Sequence, residues 1–153
     1  MSRQTVNNSF SLEIPEGFRL LGGEELRTFT QSGDPYQWAA LDRERHRLIT
    51  VQWKRSLLTP LADMKVLARR NRQLFCRVNA GSRPEDELSM QAGDAQAEGY
   101  RVSYTKDGIP FTAFVLLFKK STVIYSVTCG CRTESLDENR PVFREVLKSL
   151  RFV

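Results

Sequence analysis

One histidine, three cysteines and one dense run of arginines are the residues of this 153-residue chain that could carry chemistry. His46 is the only side chain whose ordinary titration lies near neutral pH, so Ser–His or Cys–His catalysis would have to use it. Such catalysis needs a nucleophile beside the imidazole and a third group to orient it. Asp42 and Glu44 are close in sequence, but Asp42-Arg43-Glu44-Arg45-His46-Arg47 reads as a charged, exposed and mobile connection. His46 is therefore expected to be a solvated loop histidine.

Cys129 and Cys131 form a C-x-C pair. On an extended strand their Cα atoms would lie about 6.6 Å apart, near the upper limit for a disulfide. Zinc usually takes four Cys or His ligands, commonly in C-x-x-C pairs. Cys76 and His46 would complete a Cys3His set only by a coincidence of the fold. The default reading is buried small hydrophobes. Gly22-Gly23 and Gly33 make neither G-x-x-x-x-G-K-[ST] nor G-x-G-x-x-G, so no phosphate loop is present. Glu85, Asp86 and Glu87 read as a solvated run in a Pro-flanked loop rather than a glycosidase pair. No catalytic residue, metal ligand or cofactor is assigned, and the chain is read as not an enzyme.

Charge is the most unusual feature. Lys54, Arg55, Lys65, Arg69, Arg70, Arg72 and Arg77 stand against one acid, Asp63, in a chain of net charge +5. Lys65, Arg69 and Arg72 follow i, i+4, i+7 and share one helix face; Arg70 and Arg77 lie on a neighbouring stripe. Such a face could dock nucleic acid, an acidic protein or anionic lipid. The plainer reading is a solvated outer face. Residues 85–98 carry Glu85, Asp86, Glu87, Asp94 and Glu98 and no base. Opposite patches could pair between copies, giving a homodimer, or face each other within one fold.

These residues need elements to hold them. Hydrophobic residues at 41% and charged residues at 27% match an ordinary globular chain and exclude collagen, a coiled-coil rod and wholesale disorder. Residues 9–14 alternate, with Phe10, Leu12 and Ile14 on one side of a half-buried strand, ended by Pro15-Glu16-Gly17. A short helix with an acidic start follows over 23–29, then a loop over 32–35. Residues 36–41 and 48–54 are strands. Residues 60–78 predict a long helix, with Thr59 as a cap and Pro60 in its first turn. Leu61, Met64, Leu67, Ala68, Leu74, Phe75 and Val78 mark its apolar stripe, interrupted by Asn71.

The second half reads as a meander. Tyr100, Val102 and Tyr104 alternate, and Asp107-Gly108 is a strong hairpin signal. Residues 111–118 are apolar on both faces, so this strand should be covered above and below, with Pro110 at its start. Val123, Tyr125, Val127 and Cys129 share one face of the next strand, whose other face is more polar. A last helix is expected over 140–149, capped by Asn139, with Val142, Phe143, Val146, Leu147 and Leu150 inward. Phe152-Val153 follows as a short strand or tail. Short turns imply antiparallel pairing, and a strand apolar on both faces requires two covering layers. The expectation is an α+β chain: a single-domain three-layer α/β/α sandwich over 1–153 with a largely antiparallel central sheet.

The N-terminus carries no apolar signal segment, and the longest apolar run is far short of the ~20 residues of a membrane span. With an odd cysteine count, this points to a reducing cytoplasm.

The order of elements resembles the PsbP-like superfamily, which includes PsbP, the Ran-binding Mog protein, DcrB and the Eag chaperones of type VI secretion. Phe10-Ser-Leu-Glu-Ile-Pro-Glu-Gly-Phe18 is similar to its opening strand and Pro-x-Gly-Trp, with Phe18 where Trp is usual. Tyr125-Ser-Val-Thr-Cys129, followed by a helix and Ser149-Leu-Arg-Phe152, is similar to its closing strand, helix and Ser-x-x-Phe. The resemblance implies protein binding and assigns no catalytic residue.

The first functional expectation is thus a non-enzymatic protein-binding or adaptor domain whose partner is another protein. Tyr36, Trp38 and Trp53 are candidate contacts beside Lys65, Arg69 and Arg72, because aromatics anchor interfaces; core packing is the competing use of each. The alternatives are a small-ligand protein or enzyme using a pocket between sheet and helix, and nucleic-acid binding through 54–77. No RNA-recognition, helix-turn-helix or zinc-finger signature supports the last.

Overall fold

Strand patterns with one apolar side dominate the chain, and a computed structural model shows how they pair. It describes residues 1–28, 36–79 and 81–153; the loop expected over 32–35 lies outside the described residues. In chain order the elements are β1 (Ser2–Val6), β2 (Phe10–Ile14), β3 (Arg19–Leu20), α1 (Gly23–Thr28), β4 (Trp38–Asp42), β5 (Arg47–Arg55), α2 (Met64–Val78), β6 (Arg83–Ala92), β7 (Ala95–Lys106), β8 (Ile109–Lys120), β9 (Val123–Arg132), α3 (Leu136–Lys148) and β10 (Arg151–Phe152).

Seven strands form one antiparallel sheet in the order β3-β4-β5-β9-β8-β7-β6. α2 lies on one face. There Phe75 packs with Tyr100, Val102, Ala113, Val115 and Leu117. The other face carries the larger core, and Leu116, Phe118, Val127 and Cys129 meet Phe143 and Val146 of α3, and Leu150 just after it, there. Sharing that outer layer is a small sheet, β1-β2-β10, whose Phe10 stacks edge-on against Phe118 and Tyr125. The fold is α+β, with both faces of β8 covered, and one outer layer mixes helix and strands.

Four local expectations are corrected. The predicted helix over 60–78 is split. Thr59–Leu61 is a 3₁₀ turn, and the helix proper starts after Asp63, whose carboxylate accepts from Lys65 N at 2.9 Å and Val66 N at 3.3 Å. The cap is thus Asp63, not Thr59, because an acceptor with two free backbone donors ahead of it satisfies the first turn. Leu61, Leu74 and Val78 of the expected stripe are exposed. Asn71, which seemed to interrupt it, instead accepts the hydroxyl of buried Tyr100.

Glu85-Asp86-Glu87 is not a loop but part of β6, where Leu88, Met90 and Ala92 alternate inward. The acids sit at a register shift between Pro84 and Glu87. The last helix begins at Leu136, not 140, and Asn139 is buried inside it rather than capping it. Pro141 lies within the helix, where it removes the bond to the Asp137 carbonyl.

The Asp42–Arg47 stretch is not wholly exposed. Its ends are buried: Asp42 is 1% and Arg47 7% exposed. Among the described residues no helix is long and apolar enough to cross a membrane.

Candidate functional site

Two neighbouring features present side chains outward without burying them: the basic side of α2 and the segment that leads into it. Leu57, Leu58 and Leu61 are 89%, 71% and 85% exposed. The backbone that carries them is held. Ser56 N donates to Thr122 O at 2.8 Å, and the buried Thr59 donates its hydroxyl to the same carbonyl at 2.9 Å. The Lys119 ammonium bonds the Pro60 and Ala62 carbonyls at 3.0 and 2.9 Å. Ser56 N, Thr59 and Lys119 thus tie the loop to the β8–β9 end of the sheet, and its leucines have nowhere to turn but outward. The sequence reading missed them by assigning Leu61 to the helix's inner stripe.

The basic residues divide by partner. Arg69 Nε lies 2.9 Å from Glu87 Oε1, and Arg72 Nη1 lies 3.9 Å from the same oxygen. The Arg69 guanidinium beside Glu87 holds that carboxyl below its usual range. The acidic 85–98 segment and the helix therefore meet within one chain, through β6. Lys65 is exposed, as are Lys54, Arg55, Arg70 and Arg77. In chain order, exposed basic residues therefore precede the leucines at the end of β5 and follow them along α2.

The aromatic candidates sit elsewhere. Trp38 and Trp53 are half-buried against the larger core, with Trp53 6.2 Å from the Tyr125 ring. Tyr36 is buried and lines a cleft of about 190 Å³ with Tyr104, Phe111 and Lys106. Burial, with Tyr104 nearby, pushes the Tyr36 hydroxyl well above the ordinary tyrosine range. The structure therefore brings Lys65, Arg69 and Arg72 together but not with Tyr36, Trp38 or Trp53.

The groups that could have been catalytic do not converge. His46 occupies the β4–β5 turn in a left-handed conformation, φ +52°, exposed to solvent. Ser135 and Glu44 line the same depression, but His46 makes no hydrogen bond or ion pair with them among the described residues. Cys129 and Cys131 point into the larger core, whereas Cys76 packs across the sheet beneath α2. The zinc set is thereby divided between two faces. Burial, with Cys131 adjacent, lifts Cys129 to about 12; burial lifts Cys131 to about 11 against the pull of Arg47. Neither is a thiolate at neutral pH.

No protein-family model and no curated protein sequence matches the chain. Solved structures match it by shape. Cyanobacterial PsbP (CyanoP) from Synechocystis sp. PCC 6803 aligns with a TM-score of 0.67 at 11% identity, over 99% of this chain and 92% of that one. The Ran-binding protein Mog1p of Saccharomyces cerevisiae aligns with a TM-score of 0.60 at 11% identity, over 99% and 95%. A Bacteroides thetaiotaomicron protein aligns with a TM-score of 0.58 at 10% identity, over 94% of this chain, which spans only 45% of that protein. The chain has the PsbP-like fold.

Proposed function

We propose that this chain is a non-enzymatic protein-binding or adaptor domain that docks an apolar segment of a partner, flanked by acidic residues, on Leu57, Leu58 and Leu61. One observation carries the reading: three leucines more than two-thirds exposed on backbone that is tied down at several points. A rigid apolar projection loses little conformational freedom on binding, so more of its burial appears as affinity. Lys54, Arg55 and Lys65 around it favour acidic flanks through charge complementarity. The Ran-binding name of a structural neighbour is in keeping with a protein partner. Nucleic acid fits less well, because Glu87 sits between Arg69 and Arg72.

The test is a photo-crosslinking amino acid at position 58 in the source cell, with position 107 on the β7–β8 turn as control. A discrete protein adduct at 58 alone, lost in the Leu57→Ser/Leu61→Ser background, is expected. Crosslinks to nucleic acid, or equal adducts at both positions, would overturn the reading.

A further inference from the structure

On the opposite face of the sheet, α3 does not close fully over β6–β8. A groove of about 270 Å³ remains. Leu88 and Met90 of β6, Phe114 and Leu116 of β8, and Phe143 and Leu147 of α3 line it. Phe114 and Phe143 meet edge-on at 6.3 Å, so the floor is a packed aromatic contact rather than a gap between loops. Its rim is basic. Arg101, Arg140 and Arg144 border it, with one acid, Asp86.

The rim charges are not equivalent. Arg101 is already ion-paired with Glu85 and stands 3.8 Å from Asp86, so those acids are spent on it. Arg140 and Arg144 are exposed and have no ion pair or hydrogen bond among the described residues. They stand four residues apart, hence one above the other on one side of α3. A guanidinium presents a planar fork of donors that matches a carboxylate. Two unpaired forks therefore overlook an apolar floor.

We propose that this groove binds a small amphipathic carboxylate, its alkyl chain on the Phe114–Phe143 floor and its head between Arg140 and Arg144. The size points to a small molecule, for the groove lies just under the ~300–1,000 Å³ of pockets for drug-sized ligands. A stable protein interface would need about 800 Å² on this chain, and the groove is a concave slot. The free charge fixes the sign of the head. This site is separate from the leucine loop and does not depend on the docking reading.

The experiment is an NMR titration of the labelled full chain with sodium decanoate below its micelle concentration, run beside 1-decanol. Saturable shifts confined to β6, β8 and α3 are expected, with decanol about tenfold weaker. The Arg140→Gln/Arg144→Gln variant changes only exposed side chains, so it should fold and lose about tenfold in affinity. Met90→Trp, which fills the slot from the sheet edge, should abolish the shifts. The inference fails if decanoate gives no saturable shift or shifts only Leu57, Leu58 and Leu61 as a surfactant would. It fails equally if the arginine variant binds as tightly as the parent, or if an acidic peptide occupies the groove while decanoate does not.

Discussion

Arg47 and Asn139 stand 92 residues apart in sequence and share a hydrogen bond of 3.2 Å, Nη1 to Oδ1. Through it the β4–β5 turn is fastened to α3. Asn139 also donates to the Ser135 carbonyl at 3.0 Å, holding the first turn of that helix. Arg47 also donates from Nε to Asp42 at 3.0 Å and from Nη2 to the Glu16 carbonyl at 3.4 Å, with its guanidinium 4.8 Å over the Phe18 ring. Each of its three nitrogens thus has an acceptor, and the ion pair with Asp42 offsets the cost of burying the charge. Phe18, in the position where Trp is usual for the resembled family, packs against Arg47.

Removing Asp42 should expose the cost of burying Arg47. Asp42→Asn is expected to lose about 3–5 kcal/mol at neutral pH, the range for breaking a buried pair. Burial raises the Asp42 pKa, but the Arg45 backbone N–H and the Arg47 and Arg45 side chains outweigh it, so the carboxyl sits below its ordinary value. Its contribution is therefore complete above the unfolded value near pH 4 and fades as pH falls through the folded one. Urea unfolding at pH 7, 5 and 3 should show the gap between parent and variant narrowing at the acid end. A constant gap would mean that the ion pair is not its source.

Gly99→Ala should destabilise strongly while Gly22→Ala does not. A Cβ on Gly99 would stand 1.8 Å from the Val115 carbonyl oxygen, in the middle of the β7–β8 ladder, whereas one on Gly22 meets nothing within 4 Å. Backbone cannot yield as a side chain end can, so about 3 kcal/mol, the upper range of overpacking, is expected. Chemical denaturation of the two variants side by side decides it.

Phe114→Ala and Leu117→Ala should both cost about 2–5 kcal/mol, since they empty opposite faces of β8. Leu117 belongs to the cluster under α2, and Phe114 packs against the larger core. Thermal melts would show it, and near-neutrality at either position would mean that its face of the sheet is open.

Thiol labelling should be staged. Cys76 is half-buried, while Cys129 and Cys131 are buried with raised pKa values. One thiol is expected to react slowly in the native protein and three at once in denaturant without reductant. Early reaction of two thiols would contradict the packing of β9.

His46→Ala should leave stability within about 0.5 kcal/mol, as for an exposed position away from packing. Both residues carry a Cβ at φ +52°, where His is tolerated somewhat better than Ala, so part of any small loss belongs to the backbone. A larger loss in calorimetry would reveal a partner for it.

Much of this architecture is legible in residue order. Phe10, Leu12 and Ile14 alternate inward as their spacing requires, and Asp107-Gly108 turns with φ of +53° and +77°. The doubly apolar β8 is covered on both faces because no other arrangement would bury it. What stayed hidden depends on partners distant in sequence. Asn71 looks like a flaw in an apolar stripe until the Tyr100 hydroxyl meets it. Glu85 to Glu87 look like a loop because alternation is masked where acids face arginines of a helix and of β7. Asn139 has the chemistry of a cap, and only Arg47 explains why it lies inside the helix. The exposed leucines were invisible for the opposite reason: hydrophobic spacing carries no sign of which side faces water.

The pairing of β2 with β10 joins Ser11 to Arg151 and Phe10 to Phe152. A contact of such sequence separation is among the last to form, because closing a long loop costs entropy before any contact repays it. The Phe10 ring likewise waits for Phe118 and Tyr125, more than a hundred residues later, against which it packs edge-on. During synthesis Phe10, Leu12 and Ile14 are made long before the β8–β9 face they cover, so the nascent chain carries these apolar side chains unburied over most of its length. Circular permutation through the β7–β8 turn would bring β2 and β10 together early while making the β7–β8 ladder a long-range pairing, so whether that chain folds faster or slower than the parent reads which of the two closures limits folding.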